Sequence, residues 1–171
     1  MTEQQYEKIS KPFRVSERRK QALILSNRMA TLLVYAAYPA ALVAAYQYSF
    51  RHLLISILVP GAAFILLSAF RSWYHAPRPY EKLSIDPIIK KDTKGKSFPS
   101  RHVFSAFMID MVIFSVSKPI GIIYLFLAIL IGIVRVIGGV HFPKDVIAGA
   151  VCGIAGWFAG NGMISLVMAF L

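Results

Sequence analysis

The chain has 171 residues, 57% of them hydrophobic, and a formal net charge of +11 at pH 7. That apolar share lies well above the level of soluble domains and predicts an integral membrane protein. The basic residues stand in blocks beside apolar stretches, so anionic lipid headgroups are their expected partner and nucleic acid is not.

Residues 1–28 carry Lys8, Lys11, Arg14, Arg18, Arg19, Lys20 and Arg28 against Glu3, Glu7 and Glu17, with too few apolar residues for a span. They are expected to form a basic interfacial segment ahead of a membrane-embedded domain over residues 29–171. The basic region is longer than the charged start of a signal peptide, so the first span is expected to be retained. Apolar stretches at Met29 to Gln47, Leu53 to Phe70, Pro119 to Val134 and Val146 to Leu171 approach or exceed the roughly 20 residues that cross a bilayer. A fifth, Val103 to Ser117, is shorter and carries Asp110; counting it as a span avoids unpaired backbone groups in lipid. The expected fold is all-α, a polytopic membrane bundle of about five to six helices with its active site at one membrane face.

Arg51 and His52 mark a very short connection, so the first two spans should form an antiparallel hairpin. The second span closes in Arg71-Ser-Trp-Tyr-His-Ala-Pro-Arg78-Pro79, where Trp73, Tyr74 and His75 suit the bilayer interface and the prolines stop the helix. The motif loop, residues 71–102, continues through a polar stretch whose Lys82, Lys90, Lys91, Lys94 and Lys96 read as a solvated surface attractive to anionic lipid. It ends in Phe98-Pro99-Ser100-Arg101-His102, with Ser100 as N-cap of the third span. Lys118-Pro119 turns the chain into the fourth span, and Gly160-Asn161-Gly162 is expected to bend or break the last. The single Cys152 reads as a small core residue, and Asp110 as a structural group paired with Arg135 or a backbone donor.

Between the last two spans lies Arg135-Val-Ile-Gly-Gly-Val-His141-Phe-Pro-Lys-Asp145. His141 and Asp145 are four apart, a spacing that puts a carboxylate beside an imidazole if the chain turns helical. Pro143 suits the first turn of a helix starting near Phe142, and that N-terminus would favour an anion. Gly138 and Gly139 permit the sharp bend from the preceding helix.

Counting crossings places the Arg71/Arg78, Ser100/Arg101/His102 and Arg135/His141/Asp145 clusters on the same side of the membrane. Arginines gathered there would repel one another unless an anion joined them, and guanidinium groups match phosphate oxygens. His141, backed by Asp145, is the expected nucleophile and His102 the expected acid for the leaving oxygen. With arginines and helix N-termini balancing charge, the chemistry requires neither metal nor cofactor.

These clusters resemble the type 2 phosphatidic acid phosphatase superfamily, the lipid phosphate phosphatases, whose pattern is Lys-x6-Arg-Pro, Pro-Ser-Gly-His and Ser-Arg-x5-His-x3-Asp. Here the pattern reads Arg71, six residues, Arg78-Pro79; then Pro99-Ser100-Arg101-His102; then Val134-Arg135, five residues, His141, three residues, Asp145. The resemblance implies a helical membrane fold, a phosphohistidine on His141, His102 as acid, phosphate held by Arg71, Arg78, Ser100 and Arg135, and no metal. Arg71 stands for Lys, Val134 for Ser and Arg101 for Gly, the last either adding a phosphate ligand or crowding the site.

The implied activity is hydrolysis of a lipid phosphate: phosphatidic acid, phosphatidylglycerophosphate, or an isoprenyl phosphate or diphosphate. A catalytically silent lipid-phosphate binder or transport partner, and a phosphotransferase, are the alternative readings. Residues 1–28 and the Lys-rich loop share a side that the positive-inside rule puts in the cytoplasm, whereas the resemblance implies the outer face.

Overall fold

The computed structural model describes the backbone of residues 1–169 and the side chains of residues 1–167; the last two residues of the expected final span lie outside it. In chain order the helices are α1 (Glu3–Arg14), α2 (Glu17–Tyr48), α3 (Phe50–Tyr74), α4 (Pro79–Lys82), α5 (Arg101–Val116), α6 (Lys118–Ile137) and α7 (Pro143–Ala169). Every regular element among the described residues is helical, and α2, α3, α6 and α7 are each long and apolar enough to cross a bilayer. The protein is an all-α, multi-pass membrane bundle.

The short α5 is the axis of the bundle. It packs against α7, α6, α2 and α3, and its residues Val103 to Asp110 are all buried. Sixteen residues make a helix about 24 Å long, short of the bilayer core, but a helix enclosed by protein does not have to match lipid thickness. The outer helices present Leu32, Val43, Ile65, Leu66, Phe126 and Phe158 outward, an apolar surface suited to the lipid interior of a bilayer.

Single serines turn the chain at the end away from the charged clusters. Ser49 alone separates α2 from α3 and caps α3 by accepting from His52 N at 3.1 Å. Ser117 alone separates α5 from α6. The same end is clipped by Tyr48 Oη donating to the Val116 carbonyl at 3.1 Å and by His52 Nε2 at 2.9 Å from Ser115 Oγ. The opposite end therefore gathers the start of α2, the end of α3, the start of α5, the end of α6 and the start of α7.

Two expectations are corrected. Gly160-Asn161-Gly162 does not interrupt α7: Gly160 lies against α3, where a Cβ would come within 2.5 Å of Val59 Cγ1, so that glycine is a helix contact and not a break. Asp110 pairs with neither Arg135 nor a backbone donor, and both its carboxylate oxygens are buried without a partner. It sits in the enclosed middle of α5, whose backbone N–H groups are already committed to the helix.

Residues 1–28 divide between α1 and the first turns of α2, which starts at Glu17 because Ser16 accepts from Arg19 N. α1 straps the loop after α4. Tyr6 is buried, its Oη donating to the Asp86 carbonyl at 3.2 Å and accepting from Ile88 N at 3.3 Å. Glu3 Oε1 accepts from Ser84 N at 2.8 Å, and Arg14 also reaches the Asp86 carbonyl.

Candidate active site

His141 sits in a five-residue link, 138–142, between α6 and α7. Gly138 ends α6 with ordinary helical angles, and Gly139 makes the turn at φ +77°, which an L side chain rarely adopts. The turn brings Val140 N and His141 N to the Arg135 carbonyl at 3.2 and 3.3 Å. Pro143 then opens α7, as its spacing predicts. Asp145, in the first turn, reaches back so that Oδ2 accepts from Phe142 N at 3.0 Å. The carboxylate and imidazole are thus brought together by a turn and a helix cap, not by one helical face, because His141 lies outside α7.

Asp145 Oδ2 is 3.6 Å from His141 Nδ1, beyond hydrogen-bond range, and Ser97 closes the gap. Ser97 Oγ donates to Asp145 Oδ2 at 2.6 Å and lies 3.4 Å from His141 Nδ1. With its only proton given to the carboxylate, the hydroxyl faces the ring with a lone pair. That favours the proton on Nδ1 and leaves the Nε2 lone pair free. Burial, above all, pushes the basicity of His141 down to about 4, reinforced by Arg78 and Arg135 and opposed by Asp145, so the ring is neutral at pH 7.

α5 and α7 meet closely at this end. A Cβ on Gly149 would lie 2.6 Å from the Ser100 carbonyl, so only glycine allows this approach, and Ser100 N donates to the Asp145 carbonyl at 2.8 Å. Ser100 occupies the N-cap position of α5, as expected, but its hydroxyl makes no capping bond. Ser100 Oγ is buried without a partner, as are Nε and Nη1 of Arg135.

The other motif arginines are occupied by backbone. Arg71 donates to the carbonyls of Lys96, Ser97 and Pro99 and so holds the loop that carries Ser97. Arg78 Nε donates to the Gly95 carbonyl and its Nη1 to the Val140 carbonyl, both at 3.2 Å, tying that loop to the His141 link. Glu81 locks the arrangement by accepting from Arg78 N at 2.7 Å and from Gly95 N at 2.9 Å.

Two cavities meet here. A polar one of about 320 Å³ is lined by Arg71, Arg78, Lys91, Arg101, His102 and His141 among others. An apolar groove of about 640 Å³ between α2, α3 and α5 is lined by Tyr35, Ile57, Phe64 and Met108, and it shares Arg101 and His102 with the first. Arg101 is exposed at that seam, its guanidinium 5.6 Å from the centre of the Phe64 ring.

Sequence reasoning brought Arg71, Arg78, Ser100, Arg101, His102, Arg135, His141 and Asp145 to one face, and they do gather there. It missed Ser97, three residues ahead of the motif serine and without a spacing signal of its own. It also took Lys91 for a solvated loop residue. Lys91 is half-buried in the polar cavity, and its ammonium basicity falls to about 8, first by burial and then by Arg135, Arg78, Arg101 and Arg71.

Residues 51–167 match the PAP2 superfamily. Over 58 residues the chain is 47% identical to the bacitracin transport permease protein BcrC of Bacillus licheniformis, a match spanning 34% of this chain and 29% of that protein's length. Among solved structures, LpxE of Aquifex aeolicus has the same fold, with a TM-score of 0.72 at 24% identity over 93% of each chain. So has a PAP2-type phosphatidylglycerolphosphate phosphatase of Bacillus subtilis, with a TM-score of 0.67 at 23% identity over 96% of this chain and 86% of that one. The family match runs through all three charged clusters and covers most of the chain, and the protein belongs to the PAP2 superfamily.

Proposed function

We propose that the protein hydrolyses the phosphate of a membrane lipid through a phosphohistidine on His141, without a metal ion. The observation that carries this reading is the junction at Arg101 and His102 between the cavity holding a neutral, buried His141 and the apolar groove. A phosphate in the first with its hydrocarbon tail in the second matches both linings. The fold shared with two proteins named LpxE and phosphatidylglycerolphosphate phosphatase is consistent with it.

On this reading His141 Nε2 attacks phosphorus, the P–O bond to the lipid breaks, and His102 protonates the departing oxygen. Water then attacks the phosphohistidine while passing a proton to His102, the P–N bond breaks, and inorganic phosphate leaves with both imidazoles restored. Asp145, with Ser97, holds the proton on Nδ1 and stabilises the ring as charge develops. Arg135 Nε and Nη1 and Ser100 Oγ, buried donors with no protein partner, supply hydrogen bonds to the phosphate oxygens. Arg78 adds charge beside His141. Arg71 acts through the Lys96–Pro99 carbonyls it holds, and Arg101 meets the substrate at the seam.

The test is phosphate release from lipid phosphates in detergent with EDTA, comparing wild type with His141→Ala and His102→Ala. Activity in EDTA that disappears with His141→Ala, together with acid-labile phosphate trapped on the wild-type protein, is the expected result. The printed name of BcrC speaks of transport, and a silent binder or transport partner is the reading that would take over if folded protein bound lipid phosphate unchanged. Phosphate delivered to an added alcohol in preference to water would instead make the chain a phosphotransferase.

A further inference from the structure

Tyr6, on α1 and outside residues 51–167 that match the family, is 1% exposed. It touches two pieces of the active site at once. Its ring lies against the link that carries His141: a Cβ on Gly139 would come within 2.8 Å of Oη and 3.0 Å of Cε2 and Cζ. Its hydroxyl is saturated, donating to the Asp86 carbonyl at 3.2 Å and accepting from Ile88 N at 3.3 Å and from Arg14 Nη2 at 3.1 Å. A hydroxyl so engaged has nothing left to offer a substrate, and its part in the reaction lies in what it holds.

What it holds is the approach to Lys91. Ile88 N is fixed by Tyr6 and Ile89 N donates to the Gly138 carbonyl at 3.1 Å, while on the far side Tyr80 Oη donates to the Thr93 carbonyl at 2.6 Å. Between these anchors Lys90, Lys91 and Asp92 make no backbone–backbone hydrogen bond. Lys90 and Asp92 are exposed, and of the three Lys91 alone lines the polar cavity, facing Arg71, Arg78, Arg101 and Arg135. An ammonium is not drawn among four guanidinium groups by its own charge, so the anchored backbone on either side has to put it there. The same segment closes on the His141 link, since a Cβ on Gly138 would come within 2.6 Å of Ile89 Cδ1. Ile89 thus walls the link at one residue and Tyr6 at the next.

We propose that Tyr6 is a positioning residue with two separable effects: its hydroxyl keeps Lys91 in the polar cavity, where the ammonium meets the substrate phosphate, and its ring keeps the Gly139 turn in the shape that presents His141. The inference rests on the phosphatase reading above. The hydroxyl acts on substrate binding, because Lys91 offers the same charge to the bound phosphate before and during the reaction. The ring acts on the rate, because it sets the aim of the nucleophile. α1 is therefore part of the working site although none of its side chains touches substrate.

The full chain in detergent, acting on dioctanoyl phosphatidic acid, separates the two effects. Tyr6→Phe keeps the ring and should raise KM roughly three- to tenfold with kcat within about twofold. Tyr6→Ala should show that KM change and in addition lower kcat by about tenfold or more. In Lys91→Ala protein, Tyr6→Phe should add less than about twofold to KM, since the group it positions is already gone. A Tyr6→Phe protein that melts lower but has unchanged kinetics overturns the inference and leaves Tyr6 a structural residue. So does a KM increase of the same size with and without the Lys91 side chain. If the wild type releases no phosphate, the phosphatase reading falls, and equilibrium binding of the same lipid decides the inference. Binding weakened by Tyr6→Phe only while Lys91 is present upholds it, and equal binding overturns it.

Discussion

Ser97 donates its hydroxyl proton to Asp145 across 48 residues of chain, at 2.6 Å between two fully buried side chains. It is a positioning residue for His141, because the carboxylate and imidazole are too far apart to bond directly. Removing the hydroxyl leaves Asp145 Oδ2 with one donor, Phe142 N, and leaves Nδ1 without its nearest acceptor. A hydrogen bond to a charged group contributes about 1.5–3 kcal/mol, so Ser97→Ala should lower kcat by roughly 10- to 100-fold with KM little changed. Ser97→Thr should restore part of the rate. Steady-state kinetics of the two variants, with thermal melting to check the fold, provide the comparison. Asp145→Asn removes the charge as well and should cost roughly 10² to 10⁴ in kcat.

The pH profile should carry two signatures. His141 is neutral down to about pH 4, so kcat/KM should not fall off through the range where an ordinary histidine protonates. Lys91 behaves oppositely: its ammonium form is lost as pH rises through about 8, and with it one cation of the polar cavity. KM should therefore rise above about pH 8 in the wild type. Lys91→Arg keeps the charge and should remove that rise, while titration of the substrate itself is common to both proteins. An alkaline limb identical in the two would show that Lys91 does not meet the substrate.

Gly139 is held twice, by its positive φ and by Tyr6, whose Oη a Cβ there would approach to 2.8 Å. Gly139→Ala should destabilise the fold by about 1–3 kcal/mol and lower kcat, because the strained turn carries His141. In a Tyr6→Ala background the additional cost of Gly139→Ala should shrink, since the collision partner is gone and only the φ penalty remains. Melting temperatures of the four proteins in one detergent measure the coupling. Full additivity would mean that α1 does not brace this turn.

Asp110 is buried at 1% exposure with neither oxygen partnered, a place where ionising a carboxyl is costly. Asp110→Asn removes the ionisable carboxyl at nearly constant shape, so its melting temperature should equal or exceed that of the wild type, with kcat kept within about twofold. Loss of activity in well-folded Asp110→Asn protein would instead give the carboxyl a part in the reaction.

The hydrophobic pattern carries most of the topology. Segment lengths near the bilayer thickness, separated by one-residue links such as Ser49 and Ser117, leave no freedom over which helix ends share a face. That parity is enough to collect the motif arginines, His102, His141 and Asp145 on one side. Local chemistry also placed the start of α7, since Pro143 and Asp145 act within one turn. Whether α7 would break at Gly160 was not decided locally, because the glycine answers to Val59 on another helix.

What each charged side chain touches was set only by contacts between residues far apart in the chain. Arg71 and Arg78 look alike beside Arg135 as charges at span ends, yet the first two spend donors on loop carbonyls while Arg135 keeps two buried ones without a partner. Lys91 was indistinguishable from Lys90 and Lys94 in a basic loop until folding brought it among the arginines of the cavity. Ser97 had no signal, and Arg101 only that of a departure from pattern, because their roles depend on distances to Asp145 and Phe64. Hydrophobic periodicity and charge parity are properties of the chain read along its length, and they determined the bundle and the face of the site. Hydrogen-bond partners and the joining of two cavities are properties of three-dimensional proximity, and only the tertiary structure decided them.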